Sequence, residues 1–340
     1  MAGGLPVWAQ LVPAPASELV KAARAYEAVG VEGVWSPQMF GAPFATLATA
    51  AGATDRIRLG TGIALAFVRS PLETACGAID LDLISGGRVV LGLGSSAESQ
   101  VEGSFGNRYG KPLAHMREVV RMVRAIVERG HTGELSVLDG EYHRLDLSHF
   151  RLLAPPVRSA IPIYLPAIYQ KACAQAGEIA DGLLGHPLWN DRWVRDEVAR
   201  SLRAGLDRAG RDRGGFSLNL SIFVAVNESK RDAIADTRAT VAWYSQNPQY
   251  LRYFQEVGFG GEAAAIQAAF ARGDLAGMAA ACSDEMVESI AVVGPADLVR
   301  RRVAERAAEA DAITPVVPHY GLRPDKAADY ARRIGELFYG

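Results

Sequence analysis

The sequence predicts a (β/α)8 TIM barrel with insertions, and three observations lead there. Short apolar strand patterns alternate with helical ones along all 340 residues, eight of each. The connections between them are brief, as in parallel βαβ units. The length exceeds the ~250 residues of a typical barrel by roughly 90, and two segments absorb that surplus. A doubly wound sheet is the alternative arrangement of the same alternation.

The elements follow in order. Val7–Val12 reads as a strand, and Ser17 is expected to cap a helix running to Gly30 with Leu19, Ala22, Ala23 and Tyr26 on its apolar face. Val31–Trp35 is a second strand and Pro43–Thr54 a short helix. Arg56–Ile63 is a third strand. Ser70-Pro71-Leu72-Glu73 then forms a capping box with proline at the first helical position, and Gly86-Gly87 stops the helix. Arg88–Gly94 is the fourth strand. Lys111–Gly130 is a long amphipathic helix, and Asp139-Gly140 between alternating runs predicts an inserted hairpin at about 131–155. Ile161–Ala167 and Asp181–Pro187 are strands five and six, each with its helix, Gln170–Ala180 and Asp191–Ala209. Phe216–Val226 is strand seven, with a helix from Ser229 to about Ser245. The stretch Gln246–Ser289 has helical residues without a strand and reads as a second insertion. Gly294-Pro295 opens a helix, Ala312–Pro318 is strand eight, and Pro324–Phe338 closes the chain. No linker or repeat divides the sequence, so residues 1–340 are expected to form one domain.

Composition narrows the function classes. A net charge of −2 gives no electrostatic case for nucleic acid, and no apolar run is long enough for a membrane. The first twenty residues carry no Lys or Arg before Lys21, and three prolines interrupt them, so no signal peptide is expected. Cys76, Cys173 and Cys282 lie far apart in apolar helical patterns and read as buried free thiols. A cytoplasmic protein is expected. The histidines show no metal-ligand spacing, and Gly94-Ser95-Ser96-Ala97 is not a nucleophile elbow. The turn Gly92-Leu93-Gly94-Ser95-Ser96 also lacks the third glycine of a dinucleotide fingerprint and closes the fourth strand, not the first. In a barrel it becomes one loop of a pocket at the strands' carboxyl ends.

Four stretches carry a resemblance. "GVEGVW", "RIRLGTGI", "RSPLETACGAIDLDLISGGRVVLGLGSS" and "AGEIADGLLGHP" resemble the bacterial luciferase-like flavin- and deazaflavin-dependent oxidoreductases. "IPIYLPAIYQKACAQAGEIADG" is most similar to the branch resembling methylenetetrahydromethanopterin reductase. That resemblance implies a (β/α)8 barrel, often a homodimer, and coenzyme F420, with FMN as the alternative cofactor. It implies a non-proline cis peptide at Gly62-Ile63 behind the deazaflavin ring. It places the cofactor side chain along Gly94, Ser95 and Ser96, and an anionic group at Ala167, Ile168, Tyr169, Gln170 and Lys171. Where family members carry an Asp-His pair, this chain has Gln38 and Met39; Gln38 can hydrogen-bond a ring carbonyl but cannot shuttle a proton. Where sugar-phosphate dehydrogenases of the family carry a glutamate, it has Ala97, with Glu98 next to it.

Hydride transfer to a C=C or C=N bond of a small organic substrate then needs a proton donor. His186, at the end of strand six, is the leading candidate, with Glu98, Tyr169 and His319 behind it. Trp8, Trp35 and Phe40 could wall a substrate pocket or belong to the core. Two other readings stand beside the reductase: an FMN-dependent monooxygenase of the same fold, and a non-catalytic cofactor-binding subunit.

Overall fold

Parallel pairing organises the chain. The computed structural model describes residues 4–339. It begins β1 (Trp8–Gln10), α1 (Ala16–Ala28), β2 (Gly33–Ser36), α2 (Phe44–Ala51), β3 (Arg58–Thr61) and a two-residue β4 (Ala64–Leu65). Then come α3 (Pro71–Ser85), β5 (Val89–Gly94), α4 (Glu98–Gly103) and α5 (Pro112–Arg129). The hairpin strands are β6 (Val137–Asp139) and β7 (Arg144–Asp146). They precede β8 (Ile163–Ala167), α6 (Gln170–Ile179), β9 (Gly182–Gly185), α7 (Asp191–Trp193), α8 (Ala199–Arg208), β10 (Ser217–Val226) and α9 (Lys230–Ser245). Four helices follow: α10 (Leu251–Glu256), α11 (Gly260–Ala271), α12 (Leu275–Ala281) and α13 (Asp284–Ile290). The chain ends with β11 (Val292–Gly294), α14 (Ala296–Arg306), β12 (Ala312–Val316) and α15 (Pro324–Phe338).

The main sheet runs β1-β2-β3-β5-β8-β9-β10, with β12 paired to β10. It curls back on itself: Ile313 of β12 bridges Val7, and its amide donates to the Pro6 carbonyl at 3.0 Å. Laterally paired residues in a parallel sheet point the same way. On the concave face Trp8, Trp35, Val90, Tyr164 and Ala312 therefore form a cluster of their own, with the Trp8 and Trp35 rings 4.1 Å apart. Glycines beside these rings make the room: a methyl at Gly182 would lie 2.6 Å from the Tyr164 ring. The larger apolar core sits between the convex face and the helices.

Local chemistry explains the ends of α3. Ser70 accepts from the Glu73 amide at 3.0 Å, Pro71 opens α3, and Gly86 ends it at φ 66°. Other expectations need correction. Pro15, not Ser17, flanks α1, and no side chain caps it. The hairpin does not turn on Asp139-Gly140 alone; Asp139 pairs with Arg144, leaving a four-residue connection. The reason is the buried Glu118 carboxylate, which accepts from the amides of Glu141, Tyr142 and His143 at 2.7, 3.1 and 2.6 Å. A wide turn can wrap an anion where a two-residue turn cannot. The third strand breaks after Thr61 at a bend, and the helix after β9 has a π-helical stretch, Val194–Val198. The short α4 and β11 were not legible as elements.

Candidate functional site at the strand ends

All the parallel strands end on one rim, and the residues that follow them gather there. After β2, Gln38 is buried. Its Oε1 accepts from the Leu65 amide at 2.9 Å and from Arg69 Nη2 at 3.0 Å. Both partners are pure donors, which fixes the amide: Nε2 faces away from them, with only the Phe40 carbonyl at a stretched 3.5 Å. Arg69 is itself only 6% exposed; burial pushes its guanidinium down, and Nη1 has no partner among the described residues. Met39 and Phe40 are exposed, and Phe40 stacks on Phe105.

After β3 the Gly62–Ile63 peptide is cis. The Gly62 amide donates to the Ser36 carbonyl at 2.8 Å and the Gln38 amide to the Ile63 carbonyl at 3.2 Å. The Ile63 side chain lies directly over Gly94, and Pro166 of β8 packs on the same side. The two glycines at the end of β5 therefore serve close packing first: Gly92 admits the Thr61 carbonyl and Gly94 admits Ile63.

Ser95 and Ser96 leave β5 in a strained loop. Ser96 is the one non-glycine residue with positive φ among the described residues, at 61°. Its hydroxyl bonds Gln100, whose Nε2 donates to the Met39 carbonyl at 3.0 Å. Tyr109 Oη donates to the Ser96 carbonyl at 3.2 Å and lies 3.4 Å from Ser95 Oγ. The amides of Ser96 and Ala97 donate to no acceptor among the described residues. Glu98 is exposed in the first turn of α4.

The β8 end is arranged differently. Ala167 is buried, and the Ile168 carbonyl accepts from the indoles of Trp189 and Trp193 at 3.1 and 3.2 Å. Gln170 donates to the Glu197 and Glu256 carboxylates, both at 3.2 Å. Those two anions stand at the start of α6, and Lys171 is exposed without a partner among the described residues. Tyr169 Oη donates to the Gln249 carbonyl at 2.6 Å, tying the long helical stretch to this rim. His186 follows β9. Burial pushes its imidazole down to about 4, and Nε2 stands 3.1 Å from Tyr250 Oη. His319 is exposed beyond β12.

Two clusters result, one around Gln38, Gly62–Ile63 and Gly94–Ser96, the other around Ile168–Gln170 and His186, meeting at Pro166. Trp8 and Trp35 are buried in the concave core, with Trp35 packed directly beneath Gly62. Sequence reasoning missed Arg69, Gln100, Tyr109 and Tyr250, which no spacing connects to the motifs. It also missed a histidine pair: His115 Nε2 and His143 Nε2 are 2.9 Å apart, and His115 lies between the Phe67 and Tyr142 rings.

Comparison with known proteins places this arrangement. A family model described as luciferase-like monooxygenase matches residues 4–312. An uncharacterised protein of Mycobacterium tuberculosis is 31% identical over 299 residues, covering 87% of this chain and 88% of its own. The 5,10-methylenetetrahydromethanopterin reductase of Archaeoglobus fulgidus is 31% identical over 282 residues, 80% of each chain. The coenzyme F420-dependent tetrahydromethanopterin reductase of Methanopyrus kandleri superposes with a TM-score of 0.78, at 22% identity over 98% of each chain. A type II Baeyer–Villiger monooxygenase of Pseudomonas putida, in complex with FMN, superposes at 0.66 and 17% identity, over 98% of this chain and 97% of its own.

Proposed function

The chain belongs to the luciferase-like monooxygenase family, and from that premise we propose that it is a coenzyme F420-dependent oxidoreductase. It would reduce a C=C or C=N bond of a small organic substrate. The curled sheet, with its Val7–Ile313 bridge, supports reading residues 1–340 as one closed (β/α)8 domain. Leu83 and Ile84, exposed at the end of α3, give a second copy apolar surface to cover in a homodimer.

One observation carries the cofactor assignment: Ser96 and Ala97, whose amides have no acceptor among the described residues, follow directly on Gly94, around which the apolar Ile63 and Pro166 side chains pack. That pairing suits a flat ring bearing an anionic side chain. When bound, the coenzyme supplies a hydride. The chain's own residues do the rest. Ile63 and Pro166 back the ring and exclude water. Ser95, Ser96 and the free amides hold the side chain, with Tyr109 and Gln100 fixing the strained loop. Gln38, locked by Arg69, offers Nε2–H to a ring carbonyl. The carboxylates Glu197 and Glu256 make the start of α6 a poorer anion site than its amides alone suggest, so Gln170 and Lys171 rank below Ser95 and Ser96. Of the sequence's four candidates for the proton donor, Glu98 and His319 are exposed to solvent, Tyr169 Oη donates to the Gln249 carbonyl, and His186 is the one at the end of β9.

The test is consumption of reduced coenzyme, followed by absorbance, with a panel of imines and activated alkenes. Turnover with one of these classes supports the reading. Turnover only with oxygen and reduced FMN moves the chain to monooxygenation.

A further inference from the structure

We propose that Tyr250 is the proton donor of this site and that His186 is the residue positioning its hydroxyl, an inference that rests on the reductase reading above. His186 Nδ1 accepts from the Leu188 amide at 3.3 Å. A backbone amide can only donate, so Nδ1 carries no proton, and the neutral ring holds its proton on Nε2. Nε2 stands 3.1 Å from Tyr250 Oη. The imidazole therefore donates and the phenol accepts. The Gln249 side chain also lies against the phenol oxygen, favouring its ionised form as a donor does, and Tyr250's own proton is given to no acceptor among the described residues, which leaves it for a substrate.

The surroundings keep these roles. Burial holds the imidazole neutral at neutral pH, so His186 is not itself the acid. Burial also raises the Tyr250 phenol, keeping it protonated until it is called on. The titratable groups facing the pair are Tyr244, edge-on to His186 at 6.0 Å, and Tyr169, which carries Arg252 over its ring. The turn Pro248–Tyr250 is anchored from both sides. Tyr169 Oη bonds the Gln249 carbonyl, and Asn247 Oδ1 accepts from the Gln249 amide at 3.1 Å. Tyr250 thus sits at the rim where β8 and β9 end, partly exposed.

The step balances. The coenzyme, when bound, would supply a hydride to one atom of the C=C or C=N bond. The Tyr250 O–H bond breaks and its proton forms a bond with the neighbouring atom. The phenolate left behind accepts the His186 Nε2–H and regains a proton from solvent.

The test reads Tyr250 directly. With 3-fluorotyrosine at position 250, the fluorine resonance is followed against pH in the free protein, in H186Q and in H186L. The amide of H186Q keeps a donor, so its midpoint stays near that of the parent. H186L loses the donor, and its midpoint rises by about one pH unit or more. Identical midpoints in all three overturn the proposal. If H186L does not fold, the ring nitrogen resonances of His186 in the intact protein decide: a proton on Nε2 supports it and a proton on Nδ1 overturns it. In the coenzyme-loaded enzyme, Y250F is expected to reduce an activated enone ~10²–10⁴-fold more slowly, with coenzyme binding unchanged. An unchanged rate overturns the proposal. If the parent protein fails to bind the coenzyme, the cofactor reading falls instead, and the resonance measurement still decides the Tyr250–His186 arrangement.

Discussion

Replacing Gly92 with alanine puts the packing account of the β5 glycines to a quantitative test. A methyl built there would lie 2.0 Å from the Thr61 carbonyl oxygen and 3.2 Å from Leu184 Cδ1. Ordinary contact begins at 3.4 Å, so the oxygen must retreat by about 3.4 − 2.0 = 1.4 Å. Leu184 can turn aside, but Thr61 O is backbone. The neighbouring Thr61 Oγ1 also donates to the Gly92 carbonyl at 2.7 Å, so moving one strand strains the other. Overpacking costs ~1–3 kcal/mol where side chains yield, and a backbone clash belongs at the top of that range. The unfolding entropy is about 0.7 kcal/mol/K, taking ~2.1 cal/mol/K per residue over this chain. A cost of ~3 kcal/mol then lowers Tm by roughly 4 °C. Calorimetry of G92A against parent, with G52A as control, measures it; a methyl at Gly52 would lie 3.9 Å from its nearest atom. A Tm for G92A within 1 °C of parent would refute the reasoning.

Three further outcomes are expected. Glu118→Ala removes the shared acceptor of three hairpin amides, and should cost ~2–4 kcal/mol in urea unfolding with new proteolytic cleavage at 140–143; parent-like protease resistance would contradict it. His115, His143 and His186 all have imidazoles lowered by burial. The unfolded chain therefore binds protons first, so this stabilisation is full above pH ~6.5 and is lost as pH falls below it, for His186 down to about 4. Urea midpoints should drop from pH 7.5 to 4.5, and a flat profile would contradict this. Burial pushes the Cys173 and Cys282 thiols up to about 12, so a thiol reagent should label Cys76 first in native protein.

Much of the fold was legible because local chemistry set it. The Ser70 cap, the Gly86 stop and the span of α15 need only residues close in sequence, and the structure has them where the pattern put them; of the capping box, the Ser70 half is formed, with its hydroxyl accepting from the Glu73 amide. The hairpin turn failed for the opposite reason. Its shape is set by Glu118, more than twenty residues away, which no local rule can see. The packing role of the β5 glycines is hidden for the same reason: Gly92 and Gly94 make room for Thr61 and Ile63, contacts that exist only once the strands lie side by side. At the site, the rim residues Gln38, Ile63 and Ser96 could be named from motifs. Their supports Arg69, Gln100 and Tyr109 could not, because each reaches its partner only through the fold. His186 could be named too, but its proton's destination, Tyr250, lies 64 residues further on.

The most direct measurement of the central claim is a parallel fluorescence titration of the purified protein with coenzyme F420 and with FMN. The account predicts micromolar or tighter binding of the deazaflavin, weak binding of FMN, and loss of deazaflavin affinity when Ser96 is replaced by a bulky side chain. Preference for FMN would contradict it and turn the Gly94–Ser96 loop into a flavin phosphate site serving oxygen chemistry.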